Sequence, residues 1–494
     1  MKRAASTATI SLLPREAELF QLLRDVVAET KLSTTVRVAG GWVRDKVLGK
    51  ESHDIDIALD DITGQEFAKH VNSVLSSRGE KASSIGVIQA NPDQSKHLET
   101  ATTNVCGYLV DFVNLRSETY GDSRIPEMKF GTALEDALRR DFTVNALFFN
   151  IHSGEVEDFT ERGIEDLKIG IIRTPLPAME TFAADPLRML RAIRFASRFG
   201  FQLEDGVVDA LQSSRNIDAL SSKVSKERVG SELMGMLAGP RPQQAIEHIF
   251  SHGLADTIFS LPPDCTQGGD LSPRWDLSLK VVRAMHAIGS LSPGLFHAPV
   301  ARTSSSEAEG EDQAVLYLSA ILSPFADMTY KVKNRQEPAN YYVGKVSIKW
   351  KHSNATAAHR IAECASVFRS LLAAPDKVIA ARTLCQLKDS WAHSLLLAAA
   401  QDAVSCSDEA ALNVVVASYA NLQRIVLSEW NLDACWKVRP IVNGKDIMKR
   451  LGIRGGPHMK NLMDEQFNWQ VMHPKGTRED CLEHLGMFYS ANFA

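Results

Sequence analysis

The sequence predicts an α+β fold, with strands and helices alternating over about the first 175 residues and helices in the rest of the chain. Short β-branched runs between residues 36 and 59 have the composition of buried strands. An apolar helix with arginines at three-residue spacing follows from Ala184 to Phe201, and residues 257–435 keep a helical pattern. With 494 residues, 44% of them hydrophobic, the chain can bury several cores.

The first element is a strand that ends at a double glycine. Val36–Ala39 is a β-branched run that suits a buried strand, and Gly40 and Gly41 allow the sharp turn into a helix. Free N–H groups at a helix start attract phosphate, so both glycines are predicted nucleotide-binding residues. Arg44, one turn into the helix, is predicted to donate to the same oxygens, with Asp45 orienting its guanidinium.

The next strand carries two carboxylates. In Asp54-Ile55-Asp56-Ile57 the two-residue period places both aspartates on one face and both isoleucines on the core face. Two hard oxygen ligands on one rigid strand suit Mg²⁺, which takes its other ligands from water and substrate phosphates. The alternative is a surface turn with incidental acids. The order of strand, double glycine, helix and D-x-D favours the metal site.

A second cluster stands immediately before another apolar strand. It consists of Arg139, Arg140, Asp141 and Asn145. Taken alone, such a cluster is equally typical of a solvated helix end with ordinary salt bridges.

The third cluster lies in the apolar helix that begins near Pro186, a residue that fits a first helical turn. Each step of three residues rotates by about −60° on an ideal helix, so Asp185 and Arg188 are predicted to share a face. Arg191 flanks this pair. Arg194 falls nearly opposite Asp185 and is predicted to meet phosphate, another wall of the cleft or a structural carboxylate.

Together, the three clusters resemble the class II tRNA nucleotidyltransferases, the CCA-adding enzymes, and most closely their fungal-type eukaryotic members. The resemblance is dense over residues 36–256. It rests on the motifs G-G-W-V-R-D with D-I-D, R-R-D-F-T-V-N-A, D-F-T-E-R-G-I-E-D-L, D-P-L-R-M-L-R, S-K-E-R-V-G-S-E-L and R-P-I-V-N-G-K-D-I. One departure is Ala184, because the family usually has an acidic residue at this position.

The resemblance implies an enzyme that adds C, C and A to the 3′ end of tRNA from CTP and ATP, without a nucleic-acid template. Asp54 and Asp56 would be the catalytic, Mg²⁺-binding residues, and the tRNA 3′-OH would attack the α-phosphate and release pyrophosphate. Asp111, in the strand pattern Y-L-V-D-F-V-N-L-R, is a candidate third ligand. The alternative is that Asp111 only orders Arg116.

Base selection would fall to Asp185 and Arg188. An aspartate only accepts hydrogen bonds and an arginine only donates them, and cytosine and adenine both present an amino group beside a ring-nitrogen acceptor. UTP and GTP present a carbonyl and an N–H there, and would leave buried polar groups unpaired. The resemblance also implies that Arg140 and Asp141 hold the ribose and triphosphate, with Asp141 accepting from the 2′-OH. The predicted nucleotide-binding set is completed by Asn145, Arg191 and Arg194.

The implied architecture is a nucleotidyltransferase head with a mixed β-sheet, followed by an all-helical neck, body and tail. The predicted bounds are 1–30 for an N-terminal extension, 31–175 for the head, 176–256 for the neck, 257–435 for the body and 436–494 for the tail.

The tail carries the predicted tRNA-binding residues. The net charge of −5 is unusual for an RNA-binding protein, but from Arg439 to Lys460 six basic residues stand against one acidic residue. A local basic patch binds phosphates whatever the total charge, so we predict that Lys449, Arg450 and Arg454 contact tRNA. The alternative is an ordinary turn between helices.

Composition also bears on the cellular setting. Residues 1–15 contain no acid, a composition shared by transit peptides and disordered tails, and we expect the protein in cytoplasm, nucleus and mitochondrion. Seven scattered cysteines without C-x-x-C indicate reduced thiols. No run reaches the roughly 18 apolar residues of a membrane span, so no membrane partner is predicted. The polar segment Ser304–Gln313 is predicted to be a disordered loop, and the oligomeric state stays open.

Two other functions are compatible with these motifs. Head motifs alone do not fix the product, so a poly(A) polymerase, or an enzyme that adds only C or only A, is the nearer alternative. The segment Arg116–Arg139 has the full length of the family's flexible loop, whose shortening marks bacterial CC-adding relatives. The more distant alternative is a catalytically silent tRNA-binding quality-control protein, against which the presence of both Asp54 and Asp56 argues.

Overall fold

The structure, a computed structural model, describes residues 9–88, 100–119, 127–266, 269–292 and 306–493. Its strands are β1 (Val36–Ala39), β2 (Ile55–Leu59), β3 (Gly86–Ile88), β4 (Thr100–Val105), β5 (Tyr108–Asn114), β6 (Arg116–Thr119), β7 (Glu127–Phe130), β8 (Leu147–Asn150), β9 (Glu155–Asp158), β10 (Ile171–Ile172), β11 (Gln202–Leu203), β12 (Thr329–Val332) and β13 (Arg335–Pro338). Up to β9 the chain contains both strands and helices, with β3 to β7 following one another directly, and this confirms the predicted α+β class.

Helices dominate the later part of the chain. They are α1 (Pro14–Thr30), α2 (Gly41–Val47), α3 (Gly64–Ser77), α4 (Ala133–Arg139), α5 (Gly163–Ile169), α6 (Ala178–Ala184), α7 (Leu187–Phe199), α8 (Asp205–Gln212), α9 (Ser214–Lys223), α10 (Lys226–Leu237), α11 (Pro242–Ser251), α12 (Ala255–Ile258), α13 (Pro263–Thr266), α14 (Ser272–Leu291), α15 (Ser306–Leu322), α16 (Ala339–Tyr342), α17 (His352–Ala373), α18 (Lys377–Leu387), α19 (Trp391–Ala403), α20 (Glu409–Arg424), α21 (Gly444–Leu451), α22 (His458–Met472) and α23 (Arg478–Asn492).

The central sheet is mixed, as predicted. Its strand order is β3-β4-β5-β2-β1-β8-β9, and β2 and β5 are parallel while the other neighbours are antiparallel. The isoleucines of β2, Ile55 and Ile57, are fully buried, as the two-residue period predicts. The parallel register places Asp56 directly opposite Asp111 of β5.

Residues 14–30, which the sequence argument assigned to an N-terminal extension, form α1 and are part of the head. The ring of Phe20 on α1 packs edge-on against Trp42, with ring centres 5.5 Å apart. It also packs at a tilt against Phe149 of β8, with ring centres 5.9 Å apart. Leu23 and Val26, three and six residues further on, are fully buried on the same side of the helix. Helix α1, which packs against the head, therefore begins at Pro14, within the predicted extension 1–30. Residues 1–8 of that extension lie outside the described residues, and its role as a targeting segment stays a prediction.

The chain divides into two compact units. The first contains residues 1–233 and 252–257, and the second contains residues 234–251 and 258–494. Most of the predicted neck thus shares a unit with the head, whereas α11 groups with the second unit. Finer bounds between head and neck, and between body and tail, remain predictions.

Two features of the second unit differ from the predictions. The body is not all-helical, because β12 and β13 form an antiparallel hairpin around Lys333, which has a positive φ of 54°. The polar segment predicted as a disordered loop is helical from Ser306 onwards, where α15 begins; Ser304 and Ser305 lie outside the described residues.

The tail has its own small core. Helices α21, α22 and α23 pack around Ile447, Leu462, Trp469 and Leu485. Among the described residues, one helical stretch, Glu409–Glu429, is long and apolar enough to cross a membrane by length and composition. A single such stretch is weak evidence for a membrane span, since helices of soluble proteins meet the same criteria.

Candidate active site

The turn between β1 and α2 has the backbone that the double glycine predicts. Gly40 has a φ of +70°, and its N–H donates to Leu147 O of β8 at 2.9 Å. A Cβ at this position would stand 2.7 Å from Nη1 of Arg140, closer than such contacts allow. Gly40 is therefore required both by its conformation and by the close approach of Arg140.

Arg44 has a different environment from the predicted one. Its side chain is buried and donates through Nε and Nη2 to Asp45, at 2.9 and 3.0 Å, and through Nη1 to Asn145 Oδ1. Its guanidinium also lies 4.8 Å from the ring centre of Phe199 on α7. Burial lowers the pKa of Arg44, and the Asp45 carboxylate opposes this effect. In this arrangement Arg44 braces α2 and is held by Asp45, and its contact with phosphate stays a prediction.

The two D-x-D carboxylates stand at the start of β2. Asp54 is exposed just before the strand, and Asp56 is half-buried within it. Burial raises the pKa of Asp56 to about 6; the neighbouring carboxylates of Asp54 and Asp111 add to the rise, and Arg140 opposes it. Three carboxylates thus gather here, with Arg140 as the cation that acts on Asp56. A divalent cation fits such a set of hard oxygen donors.

Asp111 is close to this pair but has another partner. It lies opposite Asp56 and accepts a hydrogen bond from the Thr102 hydroxyl. Across the part of the chain that the structure describes, no group of three or more His, Cys, Asp or Glu side chains is arranged to hold a metal ion. Asp54 and Asp56 stay the predicted protein ligands, with water and substrate oxygens expected to complete the shell.

Arg140 connects the second cluster to the first. Asp136, a buried residue of α4, accepts from Arg140 Nε at 3.0 Å and also pairs with Arg139. Burial by itself raises the pKa of Asp136, but the two arginines outweigh it and hold that pKa below its usual value. Arg140 Nη1 donates to Asn145 O at 3.2 Å. The guanidinium is thereby fixed beside Gly40. From this position its charge acts to lower the pKa of Asp56.

Asp141 is the centre of a polar network. Its Oδ2 accepts from Arg191 Nε at 2.8 Å and lies 2.7 Å from Arg191 Nη2, and its Oδ1 accepts from Asn145 Nδ2 at 3.0 Å and Phe142 N at 2.8 Å. Burial alone would raise the pKa of Asp141, but Arg191 and the Asn145 hydrogen bond hold it below its usual value. Four donors occupy about four acceptor positions, which leaves none for a ribose 2′-OH in this arrangement. The contact of Asp141 with the ribose 2′-OH therefore stays a prediction, and it would have to replace one of these donors.

Asn145 serves the same network. Its amide group donates to Asp141 and accepts from Arg44, so both of its ends are used within the protein. Direct nucleotide binding by Asn145 stays a prediction. In this structure Asn145 joins α2 to the Asp141–Arg191 pair.

Asp185 and Arg188 are near each other in sequence but do not pair. Helix α7 begins only at Leu187, and Asp185 caps the end of α6 with an extended backbone, so the helical rotation argument does not apply to it. Asp185 pairs with Arg228 of α10 at 3.4 Å, whereas Arg188 Nη2 donates to Arg139 O at 2.6 Å. The prediction that the two share one helix face is wrong, although both lie at the N-terminal end of α7.

Arg194 meets a structural carboxylate, one of its three predicted partners. Its Nε donates to Glu232 Oε2 of α10 at 2.6 Å, and Arg191 Nη1 lies 3.6 Å from Glu232 Oε1. Burial lowers the pKa of Arg191, but Asp141 and Glu232 outweigh this and raise it. Sequence reasoning missed Glu232 and Asp136 as network residues. The acid in S-K-E-R-V-G-S-E-L was the available signal for Glu232.

The three tail cations belong to the second unit. Lys449 and Arg450 end α21, and Arg454 follows in the loop after Gly452. All three are exposed, and none forms an ion pair with another described residue. The nearby Asp446 is neutralised by Arg478 at 2.5 Å. The patch is therefore free to bind an external anion.

Comparison with known proteins identifies the class. The Poly A polymerase head domain family matches residues 36–173, and the family described as probable RNA and SrmB-binding site of polymerase A matches residues 200–265. The CCA tRNA nucleotidyltransferase, mitochondrial, of Saccharomyces cerevisiae is 37% identical over 480 residues, covering 91% of this chain and 87% of its own. The protein of the same name from Candida glabrata is 35% identical, with 96% of each chain covered.

A solved structure of similar fold supports the same conclusion. The Thermotoga maritima CCA-adding enzyme complexed with tRNA superposes with a TM-score of 0.60 at 20% identity, covering 97% of each chain, which shows a shared fold. The mixed sheet, the strand that carries the D-x-D motif and the arginine network define the class: a nucleotidyltransferase with a polymerase-type head. The chain belongs to the CCA tRNA nucleotidyltransferase family.

Proposed function

We propose that this protein adds the 3′-terminal CCA to tRNA from CTP and ATP without a nucleic-acid template. One observation carries the proposal: Arg140, which lies beside the Gly40 turn, is near enough to Asp56 of the D-x-D pair to act on its pKa. A triphosphate with its metal needs both a carboxylate pair and a cationic wall. The D-x-D strand and Arg140 supply both, and both lie within the residues matched by the polymerase head family.

The family uses a divalent metal, and we propose that it is Mg²⁺, held by Asp54 and Asp56. Bound Mg²⁺ would lower the pKa of the tRNA 3′-OH and stabilise charge on the α-phosphate and on the pyrophosphate that leaves. The protein's own contribution is positional. Asp136 orients Arg140 towards the phosphates, and no covalent enzyme intermediate is required.

Base selection is proposed to rest on Asp185 and Arg188, as the family resemblance implies. The side chain of Asp185 remains 31% exposed, so its carboxylate is accessible to a base. Arg228 supports Asp185, and the Arg139 carbonyl anchors Arg188. The Asp141 network holds Arg191 and, through Glu232, Arg194, so these two arginines belong to one ion-paired network rather than making two independent contacts.

The deciding experiment is incubation with tRNA that lacks its 3′ end, with each NTP alone and with CTP and ATP together. Products are resolved to one nucleotide. Two C additions with CTP, completed by one A when ATP is present, are expected. Addition of only C, of only A, or of a long A tail would indicate the nearer alternatives. No addition at all, with tRNA bound, would indicate a silent tRNA-binding protein.

We propose a mitochondrial location, since the relatives from Saccharomyces cerevisiae and Candida glabrata are named mitochondrial enzymes. Presence in the cytoplasm and nucleus is a further proposal that follows from the general need for CCA ends on tRNA. Fluorescent tagging at the C-terminus with cell fractionation tests both.

Substituting alanine for Gly40 should damage nucleotide binding. The new Cβ would press on Arg140 Nη1, and the positive φ adds strain of about 1–3 kcal/mol. We expect the KM for CTP and ATP to rise at least about tenfold. Gly49→Ala is the matched control, because Gly49 also has a φ of +70° but has nothing within 4 Å of its Cβ position. Equal nucleotide affinity in the two variants would contradict the role of Gly40.

Replacing Lys449, Arg450 and Arg454 together with alanine should weaken tRNA binding. Each lost phosphate contact reduces the slope of log affinity against log salt by roughly 0.7 to 0.9. The KM for tRNA should rise while the KM for CTP barely moves. The matched control is the triple alanine variant of Lys331, Lys333 and Arg335, exposed cations of the β12–β13 hairpin that remove the same charge. If both triple variants weaken tRNA binding equally, the tail is not a specific anchor.

A further inference from the structure

Helix α1 places a fully buried acid against α2. Glu16 has an exposure of 0%, yet it lies outside the residues matched by the polymerase head family. A buried carboxylate is costly unless its oxygens are satisfied, so the groups that face it are informative.

Both oxygens of Glu16 are occupied, two of its three partners being side chains of α2. Trp42 Nε1 donates to Oε1 at 3.1 Å, and Lys46 Nζ lies 2.7 Å from Oε2. Oε2 also accepts from Leu13 N at 2.7 Å, which ties the start of α1 to the same group. The side chain of Lys46 is only 7% exposed, and its ammonium lies 5.5 Å from the Trp42 ring centre. This is a closed, buried polar cluster.

The polar cluster contacts one face of the short helix α2. Trp42 and Lys46 are four residues apart and so share a face, while Arg44 points to the opposite side. Seven residues are too few to maintain a helix alone, so α2 takes its orientation from what holds its two faces. Glu16 holds one face, and on the other Arg44 reaches Asn145.

We propose that Glu16 is a positioning residue for nucleotide binding. It holds α2, through Trp42 and Lys46, in the orientation that keeps Arg44 on Asn145 and Gly40 against Arg140. The inference rests on the proposed function, in which Arg140 belongs to the nucleotide-binding wall. It adds a residue from α1 that touches neither nucleotide nor tRNA.

The test compares Glu16→Ala with Leu23→Ala in the full-length protein. Leu23 is equally buried on α1 but has no part in the polar cluster, so its variant reports on loss of stability alone. A smaller folded fraction lowers apparent kcat and leaves both KM values unchanged. Loss of positioning instead raises the KM and the equilibrium dissociation constant for CTP. We expect a rise of about tenfold or more for Glu16→Ala, with the KM for tRNA unchanged.

Two further variants keep the test decisive if Glu16→Ala does not fold. Glu16→Gln keeps an acceptor for Trp42 and should recover part of the CTP affinity. Lys46→Met keeps the apolar stem but removes the cation from Glu16, and should weaken CTP binding. CTP affinity equal to that of the Leu23→Ala protein in Glu16→Ala, or unchanged affinity in Lys46→Met, would overturn the inference. Wild-type protein that binds CTP but adds nothing to tRNA would instead contradict the proposed function, and the binding comparison would still apply.

Discussion

Asp54→Ala or Asp56→Ala is expected to abolish incorporation of both C and A. The reason is electrostatic: burial, reinforced by the neighbouring carboxylates of Asp54 and Asp111, raises the pKa of Asp56 to about 6, and a bound divalent cation would favour its charged form. Without its metal the site loses several kcal/mol of transition-state stabilisation, so kcat should fall by at least about a thousandfold. Binding of tRNA should persist, because the proposed phosphate contacts lie in the tail.

The matched control for these variants is Asp61→Ala. Asp61 is an exposed acid just beyond the other end of β2, where it accepts a hydrogen bond from Ser33. The variant removes the same charge from the head, at a distance from the D-x-D pair along β2, and should retain nearly full activity. Appreciable turnover by Asp54→Ala or Asp56→Ala with Mg²⁺ would refute the assignment of the D-x-D pair.

The sequence predicted those parts of the fold in which local pattern and tertiary structure agree. The predictions for the strand Val36–Ala39 and for the alternation of Ile55 and Ile57 were correct, because the residues of a central strand themselves show the apolar pattern that its burial requires. The residues of helix α1 were assigned to an extension. Its apolar face packs against Trp42 and Phe149, and a pattern within α1 cannot identify contacts with residues so distant in sequence.

The candidate site was predictable in its residues but less so in its pairings. The rotation argument for Asp185 and Arg188 assumed one continuous helix, whereas the chain breaks between α6 and α7 at Asp185. The partners that fix the arginines come from far along the chain: Glu232 lies 38 residues after Arg194. Spacing rules describe neighbours within one element and cannot identify a partner on another helix.

These pairings join the arginines of the site into one hydrogen-bonded network. Arg44, Asn145, Asp141 and Arg191 form one continuous chain of hydrogen bonds from α2 to α7. A buried network of this kind holds its members at fixed positions, and removing one partner leaves another charge unpaired. Substitutions within it will therefore combine loss of stability with loss of nucleotide binding, so they are poor tests of direct contact.

Asp185 and Arg188 offer a cleaner test, because they lie at the edge of this network. Alanine at either position should lower the rate and reduce the preference for CTP over UTP and for ATP over GTP. A site built to hydrogen-bond a base rejects the wrong one by leaving polar groups unpaired, so the loss of preference should be on the order of a hundredfold or more. The measurement is single-nucleotide incorporation with each of the four NTPs under matched conditions.

Two controls separate base selection from support of the pocket. Asp209→Ala removes an exposed acid from α8 in the same unit and should change neither rate nor preference. Arg228→Ala removes the partner of Asp185 but leaves its carboxylate in place, so it should slow incorporation while most of the preference is kept. If Asp185→Ala and Arg188→Ala slow the reaction yet retain the wild-type preference for CTP and ATP, the base is selected elsewhere, and these two residues only support the pocket as Arg228 does.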